Sequence, residues 1–113
     1  MNWISLTAIN QLEEIKSKSF EKPQIIFKHS TRCSISAMVL NRLEKWENTT
    51  DADFYYLDLI AYRIISNTIA EDFNVFHESP QILVIKNGNC IYDESHNAIA
   101  IEDILPYTTT SSY

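Results

Sequence analysis

Gln24-Ile25-Ile26-Phe27-Lys28-His29-Ser30-Thr31-Arg32-Cys33-Ser34-Ile35-Ser36-Ala37-Met38-Val39 is the stretch on which the fold turns. Ile25-Ile26-Phe27 is short and apolar on both faces, which suits a central strand covered by helices on either side. Beyond it Ile35, Met38, Val39, Leu43 and Trp46 recur at helical spacing up to about Glu47. Cys33 therefore stands where a strand hands over to a helix. Upstream, Thr7 to Phe20 places Ile9, Leu12 and Ile15 on one stripe, an amphipathic helix with Thr7 as its N-cap, and Pro23 punctuates. Downstream, Asn48 to Asp51 reads as a polar turn and Phe54-Tyr55-Tyr56-Leu57-Asp58-Leu59 as a second strand. A third helix runs from about Tyr62 on Ile65, Ile69 and Phe73. Ser79-Pro80 then precedes the strands Gln81 to Lys86 and Asn89 to Tyr92. Between them lies Asn87-Gly88, whose two residues accept the positive φ angles of a type I′ hairpin turn. Ile99, Ile101, Ile104 and Leu105 mark a last short helix ended by Pro106, and Tyr107 to Tyr113 reads as a frayed tail.

With 113 residues the chain has room for one core and not two. The order helix, strand, helix, strand, helix, hairpin, helix shows no linker and no repeat. A strand–helix–strand unit pairs its strands in parallel, and a hairpin joins the same sheet antiparallel. The expectation is a single α/β domain over 1–106 with a mixed four-stranded sheet and helices on both faces, followed by a flexible tail over 107–113. That is a thioredoxin-like arrangement, and the order alone also fits other small α/β folds.

The hydrophobic share of 45% and charged share of 21% are those of a globular chain, and no apolar run approaches the roughly 20 residues of a membrane-spanning helix. Met1-Asn2-Trp3-Ile4-Ser5 lacks the basic and apolar segments of a secretory signal, so the cytoplasm is expected. A net charge of −6 repels phosphate backbones and anionic lipid, which argues against nucleic-acid and membrane partners.

Two cysteines, Cys33 and Cys90, make no disulfide framework. At a helix start, unpaired N–H groups and the positive end of the helix dipole favour a thiolate at Cys33, and Arg32 adds a neighbouring cation. Thiols so placed have pKa values of roughly 3.5–7.5, against about 8.5 for a free cysteine, and the thiolate is the species that attacks. Ser36, one turn along, stands where a dithiol oxidoreductase keeps its resolving cysteine. Its hydroxyl can donate to sulfur and cannot form a disulfide. A small buried hydrophobe is the competing reading of Cys33, and position alone leaves the two even. Pro80 at the start of a strand is open to a cis or a trans bond. Cys90, near the hairpin turn and far from the Cys33 helix end, reads as core filler or surface thiol rather than as a resolving cysteine. His29, His77 and His96 match no compact zinc spacing with the cysteines, so no metal is expected.

Lys28-His29-Ser30-Thr31-Arg32-Cys33-Ser34-Ile35-Ser36-Ala37 resembles the Lys-His-Ser-x-x-Cys-Pro-Ile-Ser signature of the YtxJ family, the monothiol bacilliredoxins of the bacillithiol redox system. His77-Glu78-Ser79-Pro80-Gln81, Lys86-Asn87-Gly88 and Ser95-His96 are similar to that family's cis-proline loop, hairpin turn and post-hairpin histidine, so the resemblance covers nearly all of 1–106. It implies a thioredoxin fold and a thiol–disulfide oxidoreductase that reduces mixed disulfides between client proteins and bacillithiol. Cys33, Ser36 and Arg32 are then the catalytic residues, with Thr31, Ser34, Ser79 and a cis Pro80 toward the substrate. Bacillithiol, or another low-molecular-weight thiol, serves as co-substrate, and no resident cofactor is implied. Ser34 departs from the family's proline, which removes a preset helical φ at the first turn. Two other classes remain open on the residues: a glutaredoxin-like iron–sulfur protein with Cys33 and an external thiol as ligands, and a non-catalytic adaptor of the same fold.

Overall fold

The computed structural model describes residues 2–46 and 51–108. Its elements run β1 (Trp3–Ser5), α1 (Asn10–Lys18), β2 (Gln24–His29), α2 (Ser34–Glu44), β3 (Asp53–Asp58), α3 (Arg63–Asp72), β4 (Gln81–Lys86), β5 (Asn89–Ser95) and α4 (Ile101–Ile104), with 3-10 turns at His96–Ala98 and Leu105–Tyr107. The sheet order is β1-β3-β2-β4-β5. β2 and β3 are parallel, while β4 runs antiparallel to β2 and to β5.

β2 sits at the centre with all six of its residues buried. Because side chains alternate along a strand, Ile25 and Phe27 pack in one layer with Val39 and Leu43 of α2 and Ile104 of α4. Ile26 packs in the other layer with Leu12 and Ile15 of α1 and Ile65 and Ile69 of α3. Two apolar faces on one strand are what the run Ile25-Ile26-Phe27 requires.

The sheet has five strands where the sequence suggests four. The additional strand, β1, pairs parallel with β3 from Trp3 opposite Phe54 to Ser5 opposite Tyr56. Three residues are too few for an alternating pattern to be read, and a ladder that short contributes only about 0.5–1.5 kcal/mol per hydrogen bond. Trp3 supplies the rest. Its ring stacks on Phe27 at 5.7 Å and meets Phe54 edge-on at 6.2 Å, contacts that exist only once β2 and β3 are side by side.

Several boundaries also move. α1 begins at Asn10 with Ile9 at its N-cap and no capping side chain, so Thr7 is not the cap. Gln11 takes that work: its Oε1 accepts from the N–H groups of Thr7 at 2.8 Å and Ala8 at 2.9 Å, and its Nε2 donates to the Ser5 carbonyl at 3.0 Å. α2 ends at Glu44, short of Glu47, and Trp46 folds back beyond it to pack on Phe54 at 5.6 Å. The turn expected over Asn48–Asp51 lies outside the described residues except for Asp51.

The hairpin turn forms as expected, with φ of 53° at Asn87 and 78° at Gly88. β5 runs on past Tyr92 to Ser95, through Asp93 and Glu94. Their polarity hides a strand from a hydrophobic reading, but an edge strand tolerates it because one side faces water. The pairing of Val84 with Tyr92 and Ile85 with Cys90 leaves Ile91 as a bulge. At the C-terminus Pro106 does not end the helix. It sits in the first turn of Leu105–Tyr107, where no N–H is needed. Tyr107 stacks on Tyr92 at 5.0 Å and Thr108 is 1% exposed, so these two residues of the expected tail are packed. The rest of that tail, 109–113, lies outside the described residues.

Candidate active site

β2 ends at His29, and the chain turns through Ser30 to Arg32 before α2 starts at Ser34. The turn is closed by the Cys33 N–H donating to the Ser30 carbonyl at 3.2 Å. Cys33 is the N-cap of α2, extended at φ −110° and ψ 122°, and its carbonyl accepts from the Ala37 N–H at 3.1 Å. The half-buried thiol therefore stands at the end of a helix whose first amides have no internal partner. Ser34 takes the first helical position without proline's preset φ.

The thiol is held below the ordinary cysteine value. The Ser36 N–H is the leading cause, the Ser36 hydroxyl follows, burial opposes both, and the Ile35 N–H adds to the lowering. Ser36 itself is 0% exposed. Its Oγ accepts from the Ser30 N–H at 3.4 Å, which leaves the hydroxyl proton for sulfur. Arg32, expected to supply the neighbouring cation, is exposed and is not among the groups that lower the thiol. A flexible guanidinium in high-dielectric water acts weakly even from the adjacent position in the chain. Thr31 is exposed beside it.

Replacing Ser36 with alanine is expected to shift the alkylation midpoint of Cys33 up toward the free-thiol value of about 8.5 and to slow alkylation at pH 7 severalfold. The Ser36 N–H survives that change, so part of the lowering should remain. Identical alkylation profiles for the two proteins would remove the hydroxyl from the site.

The Ser79–Pro80 bond is cis. Lys28 of β2 pairs with Gln81 of β4, so the antiparallel register brings Ser79 and Pro80 to the sheet end where the Ser30–Cys33 turn lies. Pro80 is buried, and its carbonyl accepts from the His96 N–H at 2.8 Å. His96 Nε2 reaches Glu78 Oε2 at 3.1 Å. The post-hairpin histidine thus ties down the proline loop.

Cys90 belongs to the opposite end. It pairs with Ile85, which pairs with Gln24 at the start of β2. Five strand steps separate that level from His29, about 17 Å at ~3.3 Å per residue. Burial, with Asp93 adding to it, pushes the Cys90 thiol up to about 11. A groove of about 500 Å³ opens between Thr7, Ile9, Ile60 and Arg63 on the β1–β3 side of the sheet and does not include Cys33.

The three histidines do not converge. His29 is 5% exposed beside Phe27 and Tyr56 in the α2 layer, His77 meets Lys28 in the other layer, and His96 holds Glu78. Sequence reasoning singled out Lys28 only as part of a motif, and missed that it is 0% exposed. The signal was present: an ammonium inside a strand covered on both faces must find partners or lose its charge.

The family described as monothiol bacilliredoxin BrxC matches residues 4–104. Among solved structures, one described as a candidate oxidoreductase with a thioredoxin fold is 33% identical, with a TM-score of 0.80 over 92% of this chain and 91% of that one. A Malassezia sympodialis thioredoxin is 18% identical, with a TM-score of 0.71 over 93% of this chain and 86% of its own. Thioredoxin O2 from Arabidopsis thaliana is 16% identical, with a TM-score of 0.68 over 92% and 89%. The last two establish likeness of fold alone.

Proposed function

This chain belongs to the monothiol bacilliredoxin family and is a thiol–disulfide oxidoreductase of the thioredoxin fold, and from that premise we propose that it removes bacillithiol from client proteins in the cytoplasm through Cys33. The Cys33 thiolate attacks the bacillithiol-side sulfur of a client–bacillithiol mixed disulfide, in line with the S–S bond. A new disulfide forms between Cys33 and bacillithiol. The client leaves as a thiolate and takes its proton from water. A second low-molecular-weight thiol, having lost its proton to water, then attacks the bacillithiol sulfur of the adduct, which forms a disulfide between the two small thiols and releases the Cys33 thiolate.

The observation that carries this reading is Ser36 in the resolving position. Its N–H and hydroxyl support the thiolate, and no sulfur stands there to finish the reaction internally. Ser36 and the α2 amides hold the charge, and Ser79 and Pro80 receive the client backbone as an added strand, a mode that accepts many sequences. Thr31, Arg32 and Ser34, exposed around the turn, border the approaching substrate. Among the described residues no helix is long and apolar enough to cross a membrane.

The test is to challenge the protein with a bacillithiol-modified client in the absence of free thiol. The expected product is a Cys33 adduct carrying the mass of bacillithiol. Stoichiometric formation of a Cys33–Cys90 disulfide within one chain would overturn the monothiol reading. An adduct of a different small thiol on protein from its native cells would overturn the choice of bacillithiol alone.

A further inference from the structure

We propose that Lys28 is a positioning residue for the exchange, its ammonium holding the Phe76–Pro80 loop, through His77, in the place where a polypeptide client docks. This rests on the reading that the loop receives the client. Lys28 projects from the centre of the sheet into the α1–α3 layer, where Nζ donates to the Ser66 carbonyl at 3.2 Å and to His77 Nδ1 at 3.4 Å. The Ser66 hydroxyl lies 3.2 Å from the same ring nitrogen. An ammonium can only donate, so beside the Lys28 cation Nδ1 must be the acceptor and the ring is neutral with its proton on Nε2. Gln81, directly opposite Lys28 on β4, donates from Nε2 to the Phe76 carbonyl at 2.9 Å. Cross-strand partners thus hold consecutive residues of the loop.

On the far side the loop is tied by the His96 contacts with Glu78 and Pro80. The His96–Glu78 pair is exposed and worth little. Lys28 itself is fully buried and its part-buried contact with His77 is charge-assisted, hence less screened by water than that exposed pair. Methionine of similar length would fill the same slot without the desolvation cost of an ammonium. That cost is what a purely structural role does not explain.

The latch exists in one protonation state. Burial lowers Lys28 to about 8, so its cation is lost as pH rises through that value. Burial, then the Lys28 charge, lowers His77 below the ordinary imidazole value, so the ring stays neutral until the solution is more acid than that. Of the other charges nearby, Arg63 on α3 lowers His77 further and Glu78 in the loop raises it. The strand neighbours of Lys28, Leu57 and Gln81, are uncharged. Tyr55, pushed up to about 12, and Cys90, up to about 11, stay neutral across the window, and Lys16 of α1 is paired with Asp72 of α3. The cationic Lys28 with neutral His77 therefore spans a band that closes on the alkaline side near pH 8.

The test compares two substrates carrying the same small-thiol mixed disulfide: single cysteine, and a peptide of about ten residues. The ratio of their KM values reports docking and cancels the titration of Cys33, which serves both. Wild type should favour the peptide, with the preference fading above about pH 8. Lys28→Met should cut that preference fivefold or more through KM and abolish its alkaline fade. Cys33 alkylation should stay within twofold of wild type and Tm should be no lower. His77→Leu, at an exposed position, should lose the same preference, and the double variant should lose no more than either single. The His77 ring resonances should titrate at higher pH in Lys28→Met. If wild type shows no peptide preference, the docking role of the loop fails. If wild type shows it and Lys28→Met keeps it, the positioning role of Lys28 is overturned while the oxidoreductase reading stands.

Discussion

Cys33→Ser is expected to reduce exchange by about three orders of magnitude or more, to the uncatalysed background, because the only group that can attack sulfur at this site is gone. A serine hydroxyl in the same place keeps the N-cap geometry, so the fold should be unaffected and the loss should lie wholly in chemistry. Cys90→Ser should leave the rate within about twofold. The two thiols cannot substitute for one another. Cys33 stands beyond His29 with its charge supported by the α2 amides and Ser36, whereas Cys90 is level with Gln24 and its thiolate is disfavoured by burial. A disulfide needs Cα atoms within roughly 4.4–6.8 Å, and the strand between the two levels is several times longer. The rate of client release, followed by mass for wild type and both variants, checks this. Retention of activity in Cys33→Ser, or its loss in Cys90→Ser, would show that the nucleophile has been misplaced.

Ser36→Cys should convert the protein from a one-thiol to a two-thiol reagent. Ser36 is fully buried one turn from Cys33, close enough for its N–H and hydroxyl to lower the thiol, so a cysteine there begins near the sulfur. Well-oriented intramolecular attack carries effective molarities of about 10⁵ M and more. Millimolar external thiol cannot compete with that. The Cys33 adduct, which in wild type should persist until an external thiol arrives, should collapse in the variant by orders of magnitude faster. Collapse releases the small thiol and leaves an internal disulfide between Cys33 and the introduced cysteine, the protein then being short of two hydrogens. The variant should depend on a dithiol reductant for turnover. A long-lived adduct in Ser36→Cys would mean that the sulfurs cannot meet in line, and that the helix start is too rigid for the resolving step.

Much of the site was legible in the chain. A strand apolar on both faces, followed after one short turn by helical periodicity, places Cys33 at a helix start whatever surrounds it, since both patterns are local. The Asn87-Gly88 turn is equally local, because its positive φ angles are a property of two residues. Arg32 is the instructive failure. Adjacency in sequence suggested a cation on the thiol, while the folded turn leaves that side chain in solvent and gives the work to Ser36. Thr7 fails for the same reason, its expected capping role passing to Gln11 once the chain before α1 bends back toward Ser5.

Residues in sequence order were thus enough to set the central strand, the helix that follows it, the hairpin and the place of Cys33 at a helix start, all of which depend on patterns a few residues long. The fifth strand, the burial of Ser36 and the Lys28–Ser66–His77 latch were decided in three dimensions. Trp3 finds Phe54 across the sheet, and Lys28 finds partners 38 and 49 residues away. No periodicity encodes such pairings. They form because the sheet and its covering helices exclude water, and a polar group enclosed there must take whatever partner the packing brings to it.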